Sequence, residues 1–169
     1  RTAASSGETL MAILNDVLDH SKIEAGKLEL GSAPMSLRAI AASVAALFRS
    51  NAEAKGVLLL LDVDPAAPDW VLGDGQRLKQ VLLNLVGNAI KFTETGTVRI
   101  SCRSLTDRTG LVQLQIDVQD SGIGINADAL KDIFSPFRQA DNSMSRRFGG
   151  TGLGLAIVHD LLAPMQRTI

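Results

Sequence analysis

Two stretches of this chain alternate strictly between apolar and polar side chains, and that alternation narrows the possible folds more than any other feature. Val98, Ile100 and Cys102 share one parity against Arg99, Ser101 and Arg103; further on, Val112, Leu114, Ile116 and Val118 alternate with Gln113, Gln115, Asp117 and Gln119. Successive side chains of a strand point to opposite faces, so both stretches predict strands of a sheet with one buried face and one wet face. A sheet of that kind needs cover, and the sequence supplies it at helical spacing. Leu37, Ile40, Val44, Leu47 and Phe48 mark an amphipathic helix ending near Lys55 and Gly56. Leu78, Val81, Leu82, Leu85 and Ala89 mark another, running from the capping candidate Asp74 to about Phe92. Between them "VLLLLDV" reads as a buried strand followed by a proline-containing turn. Antiparallel strands beside several helices predict an α+β fold, with a helical layer on one face of a sheet.

At 169 residues the chain is long enough for one domain with a substantial core plus an appended helix. Residues 5–24 read as that helix: Ser5 and Glu8 form a capping box, Leu10, Ile13, Leu14, Val17 and Leu18 recur at helical spacing, and Gly26 is the stop. Its narrow apolar stripe fits a bundle or coiled-coil seam with a partner helix, or else docks on the domain itself. "GSAPMS" then breaks the chain. Lys and Arg number 17 against 18 Asp and Glu, which lacks the basic excess of a nucleic-acid binder. Cys102 has no partner cysteine, which excludes an intrachain disulfide and fits a reducing, cytoplasmic compartment. Apolar runs such as Val57–Leu61 fall well short of the roughly 18 residues a spanning helix needs, so no membrane contact is expected from this segment. The chain starts at Arg1 rather than Met and carries no signal peptide, as expected for an excerpt of a longer protein.

Three groups of residues carry chemistry. On the helix that ends near Phe92, Arg77, Gln80, Asn84, Asn88 and Lys91 gather on a stripe separate from the apolar one. Asparagine is a mediocre helix former, so two of them one turn apart, with a lysine three residues on, suggest an amide carbonyl for a hard cation and an ammonium for phosphate. A solvated helix face is the alternative. At the end of the second alternating strand, Asp120 keeps the parity of Val112 to Val118 and so points inward, where a carboxylate needs donors such as the exocyclic amine of a purine. Gly122 and Gly124 let the backbone turn and approach a planar ring; alternatively, Asp120 caps its own loop in an Asx turn. The third group is "RRFGGTGLGLAIVHD", residues 146–160, which sets Gly149, Gly150, Gly152 and Gly154 at the start of a helix. Free N–H groups and the positive dipole end favour phosphate oxygens there, and Arg146 and Arg147 add countercharge; a flexible loop is the alternative. It is not a Walker loop, because G-x-x-x-x-G-K-[ST] is absent. Gly122, Gly124 and Ala127 also fit G-x-G-x-x-A, but the parallel βαβ unit of a dinucleotide site does not follow: "LKDIFSPFRQADNSMSRRF" reads as a short helix and a long polar loop.

Taken in order, "LKQVLLNLVGNAIKFTETGTVRI", "DVQDSGIGI", "IFSPFRQAD" and "RRFGGTGLGLAIV" resemble the N box, first glycine box, F box and second glycine box of bacterial sensor histidine kinases. "LNDVLDHSKIEAGKLEL" resembles the end of their second dimerisation helix, in the hybrid-kinase style. The resemblance covers nearly the whole chain. It implies that residues 1–30 end a dimerisation region and that residues 31–169 are a catalytic ATP-binding domain, a two-layer α/β sandwich of Bergerat type whose mixed sheet is covered by helices on one face. By the same likeness Asn88 is the magnesium ligand with Asn84 beside it, Lys91 a phosphate contact and Asp120 the adenine reader. Gly122, Gly124, Gly150, Thr151, Gly152, Leu153 and Gly154 are the backbone cradle and lid hinge, Arg146 a phosphate contact, and Phe134 and Phe137 the F-box packing residues.

The implied activity takes ATP and Mg2+, transfers the γ-phosphoryl group to a histidine, and relays it to a response-regulator aspartate. Its partners would be a second copy, through the N-terminal helix, and a receiver domain; the parent chain would sit in the cytoplasm, with or without an inner-membrane anchor. ATP-hydrolysing members of the wider superfamily, the gyrase, MutL and Hsp90 types, carry a glutamate general base one turn before the magnesium asparagine. Here that position is Asn84, an amide that cannot take a proton near neutral pH. The resemblance therefore implies phosphoryl transfer rather than hydrolysis, with positioning and magnesium supplying most of the catalysis.

The chain departs from the family in two places. The H-E-x-x-[TN]-P-like box that holds the acceptor histidine is not present, and His20 and His159 read as structural. "LLAPMQRTI" stands where the family has "LVELMGGxI", without the domain's last two strands, and Pro164 would end or kink that helix early. The segment alone is therefore expected to bind ATP poorly and not to autophosphorylate. A degenerate module that only dimerises or binds nucleotide is the alternative function, and a superfamily ATPase the runner-up chemistry.

Overall fold

The computed structural model describes Leu18, Ser21, Leu28–Thr106, Val112–Pro136 and Gly152–Met165. The chain divides into two compact units: Leu30–Gly124 makes the first, and the second takes in the described residues before Leu30 and from Ile125 onward. Of the helix expected at residues 5–24, only Leu18 and Ser21 are described, and both are helical.

In the first unit the order is β1 (Ala33–Ser36), α1 (Leu37–Lys55), β2 (Val57–Val63), β3 (Trp70–Gly73), α2 (Gly75–Phe92), β4 (Gly96–Thr106) and β5 (Val112–Asp120). β4 is the central strand of an open mixed sheet, with β2 parallel on one side and β5 antiparallel on the other. Val98, Ile100 and Cys102 are fully buried, as their alternation demands, and burial pushes the Cys102 thiol up. Ser101, of the opposite parity, is buried as well, because strands flank it on both sides at Asp62 and Asp117. "VLLLLDV" does form a strand, but an edge strand: Leu58 faces the wet side and is 58% exposed.

The two helices pack on this sheet and on each other. Asp74 caps α2, its Oδ1 accepting from the amides of Gln76 and Arg77 at 3.1 and 3.0 Å, while its Oδ2 accepts from Gly31 N at 2.9 Å. α2 buries Leu78, Val81, Leu82, Val86, Ala89 and Ile90, with Leu85 only half-buried at the margin. Burying one such large side chain contributes about 1.5–3 kcal/mol, more than the cost of about 1 kcal/mol for the mid-helix Gly87. Gly87 faces Phe48: a Cβ there would stand 3.4 Å from the ring. α1 buries Leu37, Ala41, Val44, Ala45 and Ala52, a stripe built largely of alanines. Leu47 lies about 110° from the centre of that stripe at 100° per residue, and it is 62% exposed rather than in the core.

β1 and β3 pair antiparallel as a separate two-stranded sheet, where the sequence showed only a chain break and a turn. Asp69, just before β3, holds the start of α1: its backbone oxygen accepts from Leu37 N at 2.8 Å, and its Oδ1 accepts from Ser36 Oγ and Arg38 N at 2.9 and 3.0 Å.

In the second unit α3 (Ala127–Leu130) is capped by Asn126, whose Oδ1 accepts from Ala129 N at 2.7 Å. α4 (Gly154–Met165) buries Ala156, Ile157, Val158 and Leu161. It carries Pro164 in its last turn and continues through it to Met165.

Candidate functional site

The polar stripe of α2 is half-buried along its length. Asn84, Asn88 and Lys91 point away from the buried stripe of the helix, yet all three are half-buried. Near the start of that stripe Arg77 Nη1 donates to Gln80 Oε1 at 2.8 Å. At its end the Lys91 ammonium stands 4.9 Å from the centroid of the Phe92 ring. Burial lowers the Lys91 pKa below the ordinary 10.5, which eases loss of its proton.

A helix leaves its last four carbonyls without intrahelical partners unless something else supplies donors. In α2 every one of them is supplied. Ala89 O accepts from Thr93 N at 3.1 Å, and Phe92 O from Ile123 N at 3.3 Å. Ile90 O and Lys91 O both accept from Lys55 Nζ, at 2.6 and 3.1 Å. Lys55 and the Phe92 carbonyl were not singled out in the sequence. A backbone carbonyl has no letter of its own, and a lysine ahead of a helix-ending glycine signals only a helix end.

Asp120 closes β5 opposite Val98, on the parity of the buried face. It is exposed rather than buried, because it is the strand's last residue. Its Oδ1 accepts from Gly122 N at 2.9 Å, so the Asx turn is formed. Ser121 locks the turn to β4: its Oγ accepts from Thr97 N at 2.9 Å and its N donates to Thr97 O at 3.1 Å. Gly122 permits a close approach. A Cβ there would lie 2.5 Å from Phe92 O and 2.9 Å from Asp120 Oδ1, so the acid-bearing turn and the end of α2 meet backbone to backbone. Thr93, the next residue of α2's exit, is fully buried, and its Oγ1 has no hydrogen-bond partner among the described residues.

In the second unit Gly152, like Gly124 in the first, has a φ of 71°, the left-handed region that favours glycine. Leu153 is buried and its carbonyl accepts from Ile157 N at 2.9 Å, which opens α4 at Gly154. Phe134 is 45% exposed and its ring lies 5.5 Å from that of His159, which itself lies 3.3 Å from Asp160 Oδ1. Phe137, Arg146, Arg147, Gly149, Gly150, Thr151 and His20 lie outside the described residues.

An open mixed sheet under two helices, with amide side chains on one helix and an acid at the neighbouring strand end, defines a class. The chain belongs to the Histidine kinase-, DNA gyrase B-, and HSP90-like ATPase family, whose profile matches residues 73–169. Within that family it is similar to the signal transduction histidine-protein kinase BarA of Escherichia coli (strain K12), 46% identical over 97% of this chain and 18% of BarA. It is similar also to the sensor histidine kinase GacS of Pseudomonas protegens, 44% identical over 97% of this chain and 18% of GacS. Among solved structures, full-length ShkA in complex with AMPPNP superposes with a TM-score of 0.81 at 37% identity, covering 96% of this chain and 32% of ShkA. The chain thus spans 18% of the length of these curated relatives. Among the described residues no helix is long and apolar enough to cross a membrane.

Proposed function

We propose that the chain is the ATP-binding catalytic portion of a sensor histidine kinase, transferring the γ-phosphoryl group of ATP to a histidine for relay to a response-regulator aspartate. The observation that carries this reading is the junction at the end of α2. There a stripe of Asn84, Asn88 and Lys91 ends on a carbonyl that also anchors the Asp120 turn. The Asp120 carboxylate accepts from the exocyclic amine of adenine, and Gly122, lacking a side chain, seats the acid-bearing turn against the Phe92 carbonyl.

The residues present fit a magnesium ion that arrives with the nucleotide. Among the described residues no three His, Cys, Asp or Glu side chains gather to hold a metal; Mg2+ is typically held by one or two protein oxygens, waters and substrate phosphates. Asn88 offers one amide carbonyl, with Asn84 beside it. When bound, the ion supplies charge neutralisation at the phosphates. Lys91 contributes an ammonium to them, and its proton, loosened by burial, is held again beside an anion. By the family likeness we further assign Gly150, Thr151, Gly152, Leu153, Gly154 and Arg146 as phosphate contacts, and Phe134 and Phe137 as F-box residues. Asn84 takes no proton from water, so the chemistry is transfer rather than hydrolysis. Residues 5–24 pair with a second copy, and a receiver domain is the onward partner.

The test supplies a dimerisation segment carrying an H box together with labelled ATP and magnesium. We expect acid-labile, alkali-stable label on its histidine, reduced about a hundredfold by Asn88→Ala, the scale of losing one preorganised contact. Release of inorganic phosphate with no labelled histidine would contradict the proposal.

A further inference from the structure

A lysine in the last turn of a helix ordinarily serves that helix's own carbonyls. In α1 two of those carbonyls have another donor: Gly56, left-handed at φ 71°, donates its backbone N–H to Ala52 O and Glu53 O. Lys55 instead reaches across to the end of α2, donating to Ile90 O at 2.6 Å and Lys91 O at 3.1 Å from a half-buried position. Both bonds are charge-assisted, and they place a cation at the negative end of the α2 dipole. The next carbonyl along, that of Phe92, is the one on which Ile123 N and the Gly122 backbone rest.

We propose that Lys55 is a positioning residue for the nucleotide site: its ammonium clamps the last turn of α2 and so fixes both the base of Lys91 and the carbonyl that holds the Asp120 turn. Its effect on nucleotide rests on the ATP-binding reading above; its effect on the turn does not. Helix ends fray when their terminal carbonyls lose partners. Loss of the clamp lets the Phe92 carbonyl shift, and Asp120, two residues from Gly122, moves with it. Lys91 then loses its fixed stance over Phe92.

The experiment compares the full chain with Lys55→Met, which keeps the stem and removes the charge, and with Lys55→Arg, which restores it. Amide exchange is read first without nucleotide, using β4 amides such as Val98 and Ile100 as the reference for global opening. In Lys55→Met the Ile123 amide should exchange about tenfold faster relative to that reference, as a local opening does. ATP affinity in magnesium should fall about fivefold, a difference of under one 1.4 kcal/mol decade, and Lys55→Arg should bring both back towards the parent values. Unchanged Ile123 protection, or a uniform rise that includes β4, would overturn the proposal by reducing Lys55 to a purely structural contact. Should Lys55→Met fail to fold, Lys55→Gln, which keeps a donor without the charge, is judged by the same two outcomes. A parent chain that binds no adenine nucleotide would sink the kinase reading, while the exchange comparison would still decide the role of Lys55.

Discussion

Gly122 concentrates the site's geometry into one missing side chain. An alanine Cβ would stand 2.5 Å from the Phe92 carbonyl, which ends α2 and accepts from Ile123 N, so neither partner can step aside cheaply. Gly122→Ala is expected to cost about 1–3 kcal/mol of stability in urea unfolding, the range for overpacking, and to weaken nucleotide binding more than an exposed substitution such as Gln119→Ala. Lys91 makes a pH prediction. Burial lowers its pKa from 10.5, so between the lowered value and 10.5 the unfolded chain binds more protons than the folded one. Rising pH through that window therefore favours folding, because the penalty on the buried charge, full at lower pH, is relieved. With Lys91 on the triphosphate as proposed, nucleotide binding is expected to have the opposite slope, since that contact uses the ammonium. Affinity should fall as pH rises through the lowered pKa, and a Lys91→Met variant should show a flatter profile. A slope of equal size in that variant would remove Lys91 from the phosphate site.

At the scale of elements, α2 depends on one carboxylate for two tasks. Asp74 caps its first turn and also ties it to Gly31. Asp74→Ala is expected to lower stability by about 0.5–2 kcal/mol, the range for a lost N-cap, measurable as a reduced urea midpoint with unchanged slope. The limits of α2 were legible beforehand because a cap and an apolar stripe are local signals. So were β4 and β5, whose alternation matches the pairing of Val98–Arg103 with Gln115–Asp120. The paired β1 and β3 were not, since four-residue strands carry too little pattern and Pro34 reads as a break. α1 misled in a different way. Its large side chain Leu47 looked like core, but the face that meets the sheet is lined by small alanines that allow close packing. The apolar run of β2 likewise hid that it is an edge, which is a property of pairing rather than of composition.

At the scale of the molecule, the chemistry-bearing letters were readable while the joint between them was not. Two asparagines one turn apart and an acid of inward parity can be found by spacing alone. That their supports meet at the Phe92 carbonyl depends on Lys55 and Ile123, distant in sequence and joined only by folding. The family assignment fits this division, with its profile beginning at residue 73 and taking in α2, β4 and β5. Whether this joint receives adenine is decided by titrating the isotope-labelled full chain with ATP or GTP in magnesium. Saturable shift changes should centre on Asn88, Lys91 and Ile123 with ATP, be much weaker with GTP, and disappear in Asp120→Asn. Equal responses to the two nucleotides, or ATP-induced shifts that persist unchanged in Asp120→Asn, would contradict it.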